Sequence, residues 1–162
     1  MIIDIAIWSL LIAIGVSDAQ RHRIPNQMVV LLLVLVVTAV ATISPADWSE
    51  HAYGGIVTFG IGLGLYAIGA MAGGDVKLLA VIGAWLGLEK MGEAVVCIIL
   101  AGGVVGAFYL ALFTIHSGYS VSHQAKGYCL DKVTPNFGRK SKMVIPFAPV
   151  IVIGLAYYSY TH

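Results

Sequence analysis

The chain has 162 residues, of which 59% are hydrophobic and 10% charged, whereas a soluble domain carries about a quarter of its residues as Asp, Glu, Lys and Arg. This composition excludes a solvated globular surface and predicts an all-α integral membrane protein whose first partner is the lipid bilayer. Nine basic residues against eight acidic ones leave a net charge of +1, which gives no ground for a nucleic-acid partner.

The predicted elements follow the apolar runs. The first, Met1 to Ser17, lacks the basic leading region of a signal peptide and carries its positive charges behind it, so it is expected to remain as a membrane helix. Met28 to Ile43, Ala52 to Met71, Val76 to Leu88, Ala94 to Ile115 and Met143 to Tyr160 follow. Spanning takes roughly 20 residues, though fewer can suffice, so about six transmembrane helices are expected. The polar segments Asp18 to Gln27, Ser44 to His51, Glu89 to Glu93 and His116 to Lys142 supply the loops. With the N-terminus outside, Arg21, Arg23, Lys77, Lys126, Lys132, Arg139, Lys140 and Lys142 fall on the cytoplasmic side and only Lys90 outside, which is the orientation that the positive-inside rule selects.

The fourth run is short, spanning roughly 20 Å as a helix against an apolar core of about 30 Å. Its N-terminal end is therefore expected to lie inside the membrane, with Gly73 and Gly74 in an irregular turn and Asp75 capping the helix, in a place buried in protein or lining a wet cavity. Glycine pairs at four-residue spacing, among them Gly60 and Gly64, Gly83 and Gly87, and Gly102 and Gly106, predict close helix packing.

Once Asp47, Glu50, Glu89 and Glu93 are placed outside, Asp18 and Asp75 remain at the cytoplasmic ends of the first and fourth helices. An acid in a membrane segment is costly and faces a bundle interior or water, which makes it a functional candidate. Two carboxyls brought together resist double ionisation and share a proton. The ionised one can then take a proton from water while the protonated one polarises a carbonyl, with no metal or covalent nucleophile required. Read singly, Asp18 is equally a charged residue at a helix end, within reach of Arg21 or Arg23, and Asp75 an N-cap behind two glycines. Lys77 can bias such a dyad, touch a substrate, or simply reach the cytoplasmic interface. The five histidines show no ligand spacing, and Cys97 and Cys129 form no CxxC pair, so neither metal nor cofactor is expected. Tyr119, Tyr128 and the basic residues around them are ordinary for a loop on a membrane surface.

The surroundings of these two acids carry a resemblance. Asp18-Ala-Gln-Arg-His-Arg-Ile-Pro25-Asn26 resembles the first aspartate motif of the type IV prepilin peptidases. Ala72-Gly73-Gly74-Asp75-Val76-Lys77 resembles the Gly-x-Gly-Asp motif that these enzymes share with presenilin and signal peptide peptidases, and Gly83-Ala84-Trp85-Leu86-Gly87 extends it. Ile145-Pro146-Phe147-Ala148-Pro149 is similar to the segment that opens the family's last helix. Ala72 departs from the pattern, standing where a glycine is expected and calling for a roomier turn.

The resemblance implies an intramembrane aspartic endopeptidase of the Gly-x-Gly-Asp fold, with Asp18 and Asp75 as the catalytic dyad and Gly73, Gly74, Lys77, Pro25 and Asn26 in support. The substrate it implies is a prepilin or pseudopilin, whose short basic leader is removed at the cytoplasmic face of the inner membrane by a multi-pass enzyme. Larger members add a domain with paired CxxC motifs and methylate the new N-terminus. Residues 1–162 read as a single peptidase domain without a methyltransferase or zinc domain, like the short form that serves Flp or tight-adherence pili. Two other readings fit the same residues: a small transporter or proton-relay subunit, and an inactive scaffold for pilus assembly.

Overall fold

The structure is a computed structural model that describes residues 2–43, 45–117 and 146–161. The long polar segment expected from His116 onward lies outside them from residue 118, with Tyr119, His123, Tyr128, Cys129 and its basic residues. The described residues form six α-helices and no strand. These are α1 (Ile2–Arg21), α2 (Asn26–Ile43), α3 (Trp48–Ala67), α4 (Gly73–Leu86), α5 (Leu88–Ser117) and α6 (Phe147–Thr161), with a 3-10 turn at Pro45–Asp47 before α3. Helices α1 and α2 and the Leu88–Tyr109 part of α5 are long and apolar enough to cross a membrane, and α6 is a shorter apolar helix. The chain is a membrane protein.

Two compact units divide the chain: residues 1–102 together with 146–162, and residues 103–145. In the first, each helix turns a stripe inward. Ile7, Leu11 and Ile14 of α1, Val29, Leu32 and Val36 of α2, and Ile151 and Leu155 of α6 are buried in one cluster. The opposite face of α2 leaves Val30, Leu31, Val34 and Val37 exposed. A helix that is apolar all round yet half exposed needs an apolar solvent, and lipid is that solvent. Helix α4 is buried along most of its circumference, through Val76, Leu78, Leu79, Val81 and Ile82. It packs on α2, α3 and α6, so Asp75 and Val76 of its first turn are held inside the bundle.

The closest approach is between α3 and α4. Gly54, Thr58 and Gly62, four residues apart, are the buried residues of α3. A Cβ on Gly83 would collide with the Thr58 hydroxyl, and one on Gly54 with the Gly83 carbonyl. The Thr58 hydroxyl donates to the Gly54 carbonyl at 2.6 Å, so this buried polar group is satisfied within its own helix. Gly60 and Gly64 have open space around them, which corrects their expected packing role: they lie on the side of α3 turned away from α4. Gly154 of α6 fills the same function as Gly83, since a Cβ there would stand 2.6 Å from the Ile98 Cα of α5.

The polar stretch Glu89 to Glu93, expected as a loop, is helical. Gly87 alone separates α4 from α5, at φ 83° and ψ 168°, a conformation open to glycine and costly for any side chain. One such residue turns the chain, and the acids begin the next helix, where the first-turn N–H groups favour Glu89. Of the second unit, residues 103–117 are described; they continue α5, with the rings of Phe108 and Tyr109 edge to face at 6.2 Å.

Candidate active site

Asp18 is the last member of the inward stripe of α1. Ile7, Leu11, Ile14 and Asp18 follow at intervals of four, three and four, the spacing that keeps side chains on one helical face. The face that packs the core thus delivers a carboxyl to its end, 6% exposed. Four residues later the His22 N–H bonds the Asp18 carbonyl at 2.8 Å, and His22 turns to φ 49°, ending the helix. The chain passes through Pro25, whose carbonyl accepts from the Met28 and Val29 N–H groups and starts α2.

Asp75 stands at the third position of α4. Its N–H donates to the Ala72 carbonyl at 3.1 Å, and Ala72, at φ −82° and ψ 151°, is the N-cap. This corrects three expectations, the first being that Asp75 itself caps the helix. Gly73 and Gly74 form the first helical residues rather than an irregular turn, the irregular stretch being residues 68–72. Ala72 occupies ordinary extended backbone that asks for no extra room. The Asp75 side chain is 8% exposed and lies near the Ala72 amide, where the helix start favours an acid.

The two acids come to the same end of the bundle because α1 and α4 run in opposite directions at matched register. Trp8 and Trp85 pack edge to face with centroids 5.9 Å apart. Asp18 follows Trp8 by ten residues and Asp75 precedes Trp85 by ten, so each carboxyl lies about 15 Å along its helix from the tryptophan pair. The two carboxyls are within electrostatic reach of each other.

The residues expected in support gather on the same end. The Lys77 ammonium donates to the Asn26 amide oxygen at 3.0 Å. Ile24 lies 3.3 Å from where a Cβ on Gly74 would stand, so the Ile24-Pro25-Asn26 segment rests on the first turn of α4, and Gly74 lets it come close. Arg21 and Arg23 are exposed and do not partner Asp18. Its hydrogen bond comes from the Ala148 backbone N–H, which donates to Oδ2 at 3.1 Å. In the sequence, the Pro146-Phe147-Ala148-Pro149 segment stands out by resemblance alone and carries no role. The two prolines were the available signal, because a helix start with few free donors is one that a buried acceptor can satisfy.

The arrangement can therefore hold a pair of buried carboxyls at three helix ends. Among the described residues no cluster of three or more His, Cys, Asp or Glu stands ready for a metal ion.

A family model described as the type IV leader peptidase family matches residues 5–111, which include both acids and the segments around them. The chain is similar to the "Prepilin leader peptidase/N-methyltransferase" of Bacillus subtilis (strain 168), 35% identical over 106 residues. That alignment covers 61% of this chain and 41% of the relative. No solved structure matches.

Proposed function

Since the chain belongs to the type IV leader peptidase family, we propose that it is an intramembrane aspartic endopeptidase that removes the leader of prepilins or pseudopilins, with Asp18 and Asp75 as its dyad. The observation that carries this reading is the convergence of two buried acids, from sequence positions 18 and 75, on one end of a bundle that is otherwise apolar. Burial raises the cost of charging both, so one proton is shared and acid and base are available together. The substrate's peptide bond has to be presented in extended form, because a helical carbonyl is engaged in its own ladder.

The six-span arrangement with the N-terminus outside belongs to the same proposal and sets the dyad toward the cytoplasm. The bias of Arg21, Arg23 and Lys77 to that side supports it, as does the opposite direction of α1 and α4. On this reading residues 1–162 act as one peptidase domain in the inner membrane. The narrower choice of Flp-type pilins rests on the resemblance of the short form.

The test is co-expression with the prepilin encoded nearest to the gene, following leader removal by gel shift and mass spectrometry for wild type, Asp18→Asn and Asp75→Asn. Cleavage by wild type and loss in both variants is the expected result. Cleavage by all three would assign the processing to another protein and return this chain to a scaffold role.

A further inference from the structure

Lys77 follows Asp75 by two residues on α4, about 200° around the helix, and side chains at that spacing do not face each other. Asp75 is buried and Lys77 exposed, so the ammonium leaves the first turn on the side away from the acid. There it donates to the Asn26 amide oxygen at 3.0 Å, across 51 positions of sequence. Gly74, three residues before Lys77, shares its face, and a Cβ on Gly74 would stand 3.3 Å from the Ile24 Cβ. Ile24 and Asn26 thus hold one face of the turn from one short segment. That segment continues the helix end that carries Asp18, which the His22 N–H closes on the Asp18 carbonyl.

The turn has little else to fix it relative to Asp18. Residues 68–72, which lead into it, are exposed except for Met71, and Gly69 among them lies at φ 73° with open space around it. Helix α3 grips the turn through Val76, whose Cγ1 stands 2.9 Å from where a Cβ on Gly62 would lie. Helices α3 and α4 form one hairpin, however, so this contact leaves α1 out. The tryptophan pair that joins α1 to α4 lies about 15 Å from the acids along each helix.

We propose that Lys77 and Asn26 are a pair of positioning residues: their hydrogen bond clamps the turn bearing Asp75 to the segment that follows Asp18, and so holds the two carboxyls at a working separation without either side chain touching the substrate. The proposal rests on the peptidase reading. An exposed bond of this kind adds little to stability. Its effect is on the spread of separations, because a constraint at the acid end narrows a distribution that distant packing leaves broad, and small displacements of reacting groups are costly in rate.

The experiment is a double-mutant cycle on leader cleavage with Lys77→Met, Asn26→Ala and both together. Each single change should lower kcat by about two- to fivefold with KM unchanged. The double change should lose no more than either single one, and Lys77→Arg, which can still donate to Asn26, should recover most of the rate. Losses that multiply, a raised KM in Lys77→Met, or Lys77→Arg as slow as Lys77→Met would each overturn the proposal. A second readout needs no substrate. In the full chain with both native cysteines replaced, spin labels on Ala19→Cys and Ala72→Cys, exposed neighbours of the two acids, report the separation of the helix ends in detergent. The distance distribution should broaden in Lys77→Met and in Asn26→Ala while the midpoint of thermal unfolding stays in place. An unchanged distribution, or broadening that comes only with a lowered midpoint, would sink the clamp. Failure of the peptidase reading looks different: wild type leaves the leader intact, while the label distances still decide whether the pair holds the turn.

Discussion

At the scale of single residues, the peptidase reading gives Asp18 a catalytic duty beside its bond to the Ala148 N–H, and substitution can separate the two. Asp18→Asn removes the charge but keeps an oxygen for the Ala148 N–H, so the chain should fold with near wild-type stability and not cleave. Asp18→Ala strands that buried N–H, which costs about 1–3 kcal/mol, and should lower the midpoint of thermal unfolding in detergent as well as abolish cleavage. Equal stability of the two variants would refute the capping role. Lys77 and Asn26 form an exposed pair, and such pairs contribute about 1 kcal/mol or less. Lys77→Met should accordingly leave stability almost unchanged, and a loss of cleavage beyond that of Asn26→Ala would place its ammonium in substrate contact.

At the scale of elements, the α3–α4 seam depends on backbone approach. Gly83→Ala would drive a methyl group into the Thr58 hydroxyl and the Gly54 carbonyl and should cost about 1–3 kcal/mol or more. Gly60→Ala and Gly64→Ala meet open space and should be neutral or slightly stabilising through helix propensity; thermal unfolding of the three variants checks the contrast. The same seam shows what was legible beforehand. Hydropathy located every described helix, because apolar runs separated by charges are a one-dimensional signal. Which glycines pack is only partly legible, because four-residue spacing specifies a face but not the neighbour it meets: Gly60, Gly64 and Gly83 all have the spacing, yet of these three Gly83 alone has a close partner, and it is Gly54. Glu89 to Glu93, helical in the structure, reads as a loop in the sequence for a related reason. Polarity marks an interface with water, and here the turn needed only the positive φ of Gly87. The two acids were found because charge is conspicuous in an apolar chain. Ala148 was not, because its contribution is a backbone N–H that carries no side-chain signature.

At the scale of the whole molecule, orientation decides which compartment the dyad serves. In a chain with its two native cysteines replaced, single cysteines at Arg23 and Lys90 should respond oppositely to an impermeant thiol reagent added to intact cells. Lys90→Cys should label and Arg23→Cys should not. Labelling of Arg23→Cys would invert the arrangement and place the carboxyls on the outer side.

The bond between Asp18 and Ala148 joins residues 130 positions apart. During synthesis α1 enters the bilayer long before α6 leaves the ribosome, so throughout that interval the first acid lacks its donor from α6. On the peptidase reading, the pair of acids in the nascent protein is therefore assembled only when its last described helix is inserted, after the earlier helices have already entered the bilayer.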